Sequence, residues 1–133
     1  MKLSQEEAEA VAKQLNYRHN GLVLAITQDL TTSRVLMVAF MNEEAVKKSL
    51  ITGMMHYWSL ERGKLWKKGE QSGNFQYIEE VLVDCDLDAM LFKVRQLGGA
   101  CHRGFFSCFF RKITGKQFKV VEVQVFDQKK VYK

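Results

Sequence analysis

Five consecutive residues, Asp84-Cys85-Asp86-Leu87-Asp88, interleave three carboxylates with a thiol, and the only other cysteines follow at Cys101 and Cys108. Every thiol therefore falls between residues 85 and 108, beside His102. Any fold this chain adopts has to place that concentration of metal-ligating atoms. Thiolates suit a borderline-soft ion such as zinc, and carboxylates suit magnesium or calcium. The pattern predicts a metal site, or two sites of different chemical character, and points to hydrolytic metal chemistry ahead of a passive scaffold.

In an extended chain, successive side chains face opposite ways, so Asp84, Asp86 and Asp88 would share one side and Cys85 would take the other. Three like charges repel unless a cation or hydrogen bonds compensate. A divalent ion that prefers oxygen is the natural compensator; an acidic loop in water is the alternative. An EF-hand is excluded, because Ala89 stands where that loop requires glycine and Arg95 where it requires a bidentate glutamate. The cysteines form no CxxC pair, which disfavours a zinc ribbon and a thiol redox protein. Three protein ligands on zinc leave a fourth position open, as in catalytic sites. His102 would either close that position or act on the bound water. Three buried thiols behaving as small hydrophobes among Phe105, Phe106, Phe109 and Phe110 fit the same spacing.

The compartment follows from the thiols and the chain start. An odd number of cysteines is poor material for a secreted disulfide framework. Residues 1–12 carry Glu6, Glu7 and Glu9 and no apolar signal core. The longest apolar run, Val35–Met41, is well short of the about 18 residues of a membrane span. The expectation is a cytoplasmic protein in a reducing compartment, where clustered thiols bind metal more often than they pair. A net charge of +5 favours anionic partners: phosphates, nucleotides or nucleic acid.

A length of 133 residues suits one domain with its own core. Residues 4–16 read as an amphipathic helix opened by a Ser4/Glu7 capping box. Residues 22–28 and 34–41 read as a hairpin about the polar cluster 29–33. Asn42 caps a short helix over 43–51, which Gly53 closes. Strands are predicted at 54–59, 64–68, 75–83, 89–95, 105–111 and 119–126, with a tight loop around Cys101 between Gly98-Gly99 and Gly104. The predicted class is α+β, a sheet-dominated single domain with two short helices near the N-terminus.

The segment from His56 to Gln76 holds a second concentration of polar residues: Ser59, Arg62, Lys64, Lys67, Lys68, Glu70, Ser72, Gly73, Asn74 and Gln76. Glycine N–H groups and short polar side chains can cradle a phosphate; a polar hairpin loop has the same composition. His56 taken alone reads as a packed strand histidine.

These segments also resemble a known family. They are His56-Tyr57-Trp58-Ser59, Leu65-Trp66-Lys67-Lys68-Gly69-Glu70-Gln71-Ser72-Gly73-Asn74-Phe75-Gln76, Asp84-Cys85-Asp86-Leu87-Asp88, Gly99-Ala100-Cys101-His102 and Ser107-Cys108-Phe109, with Leu36-Met37-Val38-Ala39-Phe40-Met41-Asn42 upstream. In that order, over about residues 20 to 111, the chain is similar to the phosphoribosyl-AMP cyclohydrolases of histidine biosynthesis. The resemblance implies hydrolysis of the N1–C6 bond of the purine of phosphoribosyl-AMP. It implies zinc on Cys85, Cys101 and Cys108, magnesium on Asp84, Asp86 and Asp88, and a homodimer whose zinc sites draw on both subunits. It implies a monofunctional enzyme, since the pyrophosphohydrolase domain fused to some relatives is absent from this sequence. Arg103 departs from the usual threonine after the Cys-His pair, adding bulk and charge beside the expected zinc ligands.

For that reaction the candidate general bases are His102, which adjoins a ligand, and His56. The expected substrate wall is Ser59, Arg62, Lys64, Lys67, Ser72, Gly73, Asn74, Gln76 and Arg103. The competing class is a nucleic-acid-binding protein with a structural zinc site, which would need closed coordination and strongly salt-dependent binding.

Overall fold

The computed structural model describes residues 1–132. Helix α1, Gln5–Gln14, begins at Ser4, whose Oγ accepts from the Glu7 N–H at 3.1 Å while Glu7 Oε1 accepts from the Ser4 N–H at 2.9 Å. Ala8 and Ala12 present a small, fully buried face toward the second helix. That helix, α2, Glu43–Thr52, is capped by Asn42 Oδ1, which accepts from the Ala45 N–H at 2.8 Å. Gly53 ends it in the left-handed region at φ 74, a conformation in which a Cβ would meet the Met1 carbonyl oxygen at 2.8 Å.

Strands β1 (Val23–Asp29), β2 (Val35–Met41), β3 (His56–Ser59), β4 (Lys64–Lys67), β5 (Gln76–Val83) and β6 (Ala89–Gln96) form one sheet in the order β4-β3-β2-β1-β6-β5. Only β1 and β6 run parallel; the other neighbours are antiparallel. The sheet curls until the chain entering β3 reaches the far edge strand. Met54 bridges Tyr77, the Met55 N–H donates to the Gln76 carbonyl at 3.1 Å, and the Ile78 N–H donates to Gly53 at 2.8 Å. This contact occupies an edge that would otherwise offer unpaired backbone groups.

The core lies inside the curl. Val23 and Ala25 of β1 and Met90, Phe92 and Val94 of β6 alternate inward, joined by Leu36, Met41, Tyr57 and Ile78 and roofed by α1 and α2. Within it a polar chain is satisfied. Thr27 Oγ1 and Tyr57 Oη lie 2.6 Å apart, Tyr57 Oη donates to Gln76 Oε1 at 2.6 Å, and Gln76 Nε2 donates to Gln96 Oε1 at 2.8 Å.

Beyond β6 the chain departs from its predicted form. Residues 105–110, expected as strand, are irregular, because their backbone groups pair singly. The Ala100 N–H donates to Phe106, the Cys101 N–H to Phe105 and the Cys108 N–H to Leu36, at 2.9, 3.1 and 2.7 Å. Phe105 and Phe110 stack with ring centroids 3.8 Å apart, forming a satellite core with Cys101. A separate hairpin follows, β7 (Arg111–Thr114) with β8 (Gln117–Val120). The predicted strand at 119–126 survives only at its start; farther on, the N–H groups of Val125 and Phe126 converge on the Gly104 carbonyl. A third helix, α3, Gln128–Val131, was not anticipated. No described helix is long and apolar enough to cross a membrane.

Candidate active site

A cavity of about 380 Å³ opens beside β2 and β4, lined by Val38, Arg62, Trp66, Lys67, Ser72, His102 and Cys108 among others. The loop carrying Cys101 closes on itself, the Gly104 N–H donating to the Cys101 carbonyl at 3.0 Å. Cys108 is hung on β2 through its own N–H and through Ser107, whose Oγ donates to the Val35 carbonyl at 2.6 Å. These tethers bring the two thiols near enough to influence one another. Burial, then the neighbouring Cys101 sulfur, pushes the Cys108 thiol up to about 11, against the pull of the Lys68 ammonium. Lys68 is buried. Its Nζ donates to the Ala100 carbonyl at 2.5 Å and lies 5.6 Å from the Trp66 ring centroid. Loss of hydration lowers its pKa, while the two thiols favour its charge.

Cys85 stands elsewhere. It occupies the turn from β5 to β6, whereas Cys101 follows the far end of β6. The eight residues of β6 span about 23 Å at about 3.3 Å each. One chain therefore brings together two of the three thiols and keeps the third at the opposite end of the sheet.

The acidic segment is a tight turn, not the extended run expected. Leu87 takes φ 63, and Asp84 Oδ1 accepts from the N–H groups of Asp88 and Ala89, both at 3.1 Å. The turn, not strand alternation, brings one ligand atom of each of Asp84, Asp86 and Asp88 within 4.8 Å of the others. The Arg18 guanidinium bridges Asp86 and Asp88, and His19 Nε2 lies 3.3 Å from Asp88 Oδ2. The hydrogen bond shared by Asp86 and Asp88 raises the first and holds the second down at about 2, with Arg18 adding to the depression of Asp88.

Of the expected substrate wall, Arg62, Lys67 and Ser72 line the cavity with His102. Ser59, Lys64, Gly73, Asn74 and Arg103 lie outside that lining. Ser59 Oγ accepts from the Arg62 N–H at 3.1 Å, closing the β3–β4 turn. Asn74 receives support from Ser72 Oγ, and its buried Nδ2 has no partner among the described residues. Arg103 stacks over Phe110 at 5.4 Å from the ring centroid. Gln76 belongs to the core chain of hydrogen bonds. His56 is buried, its Nδ1 2.9 Å from the Met54 carbonyl oxygen, and burial lowers its pKa. His102 is exposed at the cavity, its ring edge-on to Tyr132 with centroids 6.2 Å apart. Sequence reasoning missed Lys68 as a site residue, and Arg18 and His19 as partners of the carboxylates. A lysine inside a polar, lysine-rich segment carries no local mark of burial.

The donor chemistry fits two kinds of ion. Three clustered carboxylates offer the hard oxygens that magnesium takes. The adjoining thiols of Cys101 and Cys108 supply two zinc-type ligands from one chain.

The profile of the phosphoribosyl-AMP cyclohydrolase family matches residues 37–110, the span that holds every cavity-lining residue but Tyr132, the three carboxylates and all three cysteines. A protein named phosphoribosyl-AMP cyclohydrolase from Methanothermobacter thermautotrophicus is 55% identical over 124 residues, covering 89% of this chain and 90% of the relative. Its namesake from Methanococcoides burtonii is 54% identical over 118 residues, covering 89% and 95%. A histidine biosynthesis bifunctional protein of Thermoanaerobacter pseudethanolicus is 48% identical over 124 residues, covering 93% of this chain and 57% of the relative. Matched across the cavity, the acidic turn and the thiol loop alike, this chain belongs to the phosphoribosyl-AMP cyclohydrolase family.

Proposed function

We propose that this protein opens the purine ring of phosphoribosyl-AMP at the N1–C6 bond, with a zinc-activated water, as a step of histidine biosynthesis in the cytoplasm. The observation that carries the reading is the pairing of Cys101 with Cys108 at a cavity that also presents His102, Arg62 and Lys67. Zinc would be held by Cys101 and Cys108 of one copy and by Cys85 of a second copy. When bound, such an ion lowers the pKa of coordinated water toward neutrality.

The chain's own residues supply the rest. The substrate carries two phosphate groups, and Arg62 and Lys67 at the cavity suit one of them. Asp84, Asp86 and Asp88 would hold magnesium against the other, since that ion commonly bridges carboxylates and phosphates. The His102 imidazole takes a proton from the attacking water as its oxygen bonds to C6. When the N1–C6 bond breaks, the same imidazole returns the proton to N1, and the other water proton passes from the oxygen on C6 to the exocyclic nitrogen, leaving a carboxamide. Burial disfavours the charged form of His56 and sets it outside the cavity lining, so His102 is the better base.

The test is Cys101→Ser, assayed for zinc content and for the absorbance change of ring opening with phosphoribosyl-AMP, zinc and magnesium. Loss of both zinc and turnover is expected. Full turnover in this variant would remove the catalytic-zinc reading.

A further inference from the structure

Terminal segments fray unless they are tied down, and the segment after β8 is tied to the loop that carries Cys101 and His102. The Val121 N–H donates to the Phe110 carbonyl at 2.9 Å. Glu122 pairs with the Arg34 guanidinium, which also donates to the Phe109 carbonyl at 2.8 Å. Gln124 Nε2 donates to the Arg103 carbonyl at 2.7 Å, and the Val125 N–H donates to the Gly104 carbonyl at 2.6 Å. Two glycines flank the stretch 100–103 and leave room for this strap. A Cβ on Gly99 would come within 2.9 Å of the Val125 side chain, and one on Gly104 would run into the Phe126 carbonyl oxygen. The strap thus sits closer to the loop than a side chain on either glycine would permit.

The strap ends by turning back. Asp127 Oδ1 accepts from the Lys129 N–H at 3.0 Å, one helical turn follows in α3, and the Tyr132 N–H donates to the Gln128 carbonyl at 2.8 Å. The reversal puts the Tyr132 ring 6.3 Å from that of Phe126 and 6.2 Å from that of His102, centroid to centroid. The Tyr132 and His102 rings meet at 89°, edge to face. Tyr132 is half-buried and lines the thiol cavity, whose other walls come from residues 37–108. The family profile ends at residue 110, so this one wall is contributed from beyond it.

His102 is exposed, and an exposed side chain changes rotamer within nanoseconds. An imidazole that must meet one water molecule needs a fixed direction. We propose that Tyr132 is a positioning residue for ring opening: its ring limits rotation of the His102 imidazole and keeps it directed into the cavity. The role rests on the reading above, in which His102 takes the proton of the attacking water at this cavity. The strap and the Asp127 cap serve to deliver the Tyr132 ring to that place.

The test compares wild type, Tyr132→Leu and Tyr132→Phe as zinc-loaded full chains. Leucine keeps apolar bulk and removes the ring; phenylalanine keeps the ring and removes the hydroxyl. Tyr132→Leu should lower kcat about two- to tenfold, the range that an aromatic pair supplies. KM for phosphoribosyl-AMP, bound zinc and Tm should stay unchanged, and Tyr132→Phe should recover most of the lost kcat. NMR of histidine-labelled protein gives a readout free of turnover. The Tyr132 ring current should displace the His102 ring signals, so Tyr132→Leu should shift them while those of His19 and His56 stay in place. Unchanged kcat in Tyr132→Leu overturns the proposal. So does a fall that tracks lost zinc or lost Tm, a rise in KM alone, or a Tyr132→Phe protein as impaired as Tyr132→Leu. Normal wild-type turnover with His102 signals indifferent to Tyr132→Leu overturns the proposal and leaves the function reading standing. The expected signals in a wild type that opens no phosphoribosyl-AMP overturn the function reading, and the positioning role falls with it.

Discussion

Two inactive variants, Cys85→Ser and Cys101→Ser, should restore each other's activity when mixed. The reasoning begins with length. Zinc–sulfur bonds of about 2.3 Å hold two sulfurs on one ion no more than about 4 Å apart. Strand β6 separates the turn bearing Cys85 from the loop bearing Cys101, and its eight residues cover about 23 Å. A three-thiol site then takes Cys85 from one copy and Cys101 with Cys108 from the other. In a mixed dimer, one site loses both altered ligands and the other keeps all three. Random exchange makes half of the dimers mixed, so about one quarter of the wild-type sites reappear in a symmetric two-site assembly. The assay is turnover of phosphoribosyl-AMP at fixed total chain concentration after joint refolding, alongside bound zinc per chain. Both should rise from background to about one quarter of the wild-type value. If the mixture stays at background while each variant is folded and dimeric, the division of ligands between copies is wrong.

Tyr57→Phe removes the hydroxyl that joins Thr27 to Gln76 inside the core. It should cost about 2 kcal/mol, because a buried carbonyl loses its donor, and should lower Tm by about 8 °C for a chain of this size. A loss under about 0.5 kcal/mol by denaturant titration would mean the network relaxes around the gap. His56 has its pKa lowered below 6.5, chiefly by burial, so the unfolded chain takes up its proton first. Stability from this group is present above pH 6.5 and is lost as pH falls through that value. Wild type should therefore lose more stability between neutral and mildly acidic pH than His56→Gln; parallel losses would place the pH sensitivity elsewhere. Asp86→Asn should raise the magnesium concentration needed for half-maximal turnover while leaving zinc content unchanged. An unaltered magnesium dependence would give the acidic turn a different role.

Features set by neighbours in sequence were legible. The Ser4/Glu7 box, the Asn42 cap and the Gly53 stop each follow from side chains within one helical turn of the backbone groups they satisfy. The β1–β2 hairpin was legible from its apolar runs and polar turn. The acidic cluster was found for a partly wrong reason: five residues hold its members close in any compact conformation, but a turn at Leu87 aligns them. Residues 105–110 were misread because aromatic density resembles strand propensity. Their backbone partners are instead isolated groups on β2 and the Cys101 loop, which no local pattern announces.

By itself the sequence determined which atoms are present to do chemistry: thiols, carboxylates, imidazoles and cations, in an order that marks the family. Tertiary structure alone decided how they are grouped. It buried Lys68 against the Ala100 carbonyl, drew Gln76 into the core, set Cys101 near Cys108 and held Cys85 a strand's length away. The physical reason is that ligand type is a property of one residue, whereas proximity between distant residues depends on sheet register and curl. Those are fixed only when the whole core packs.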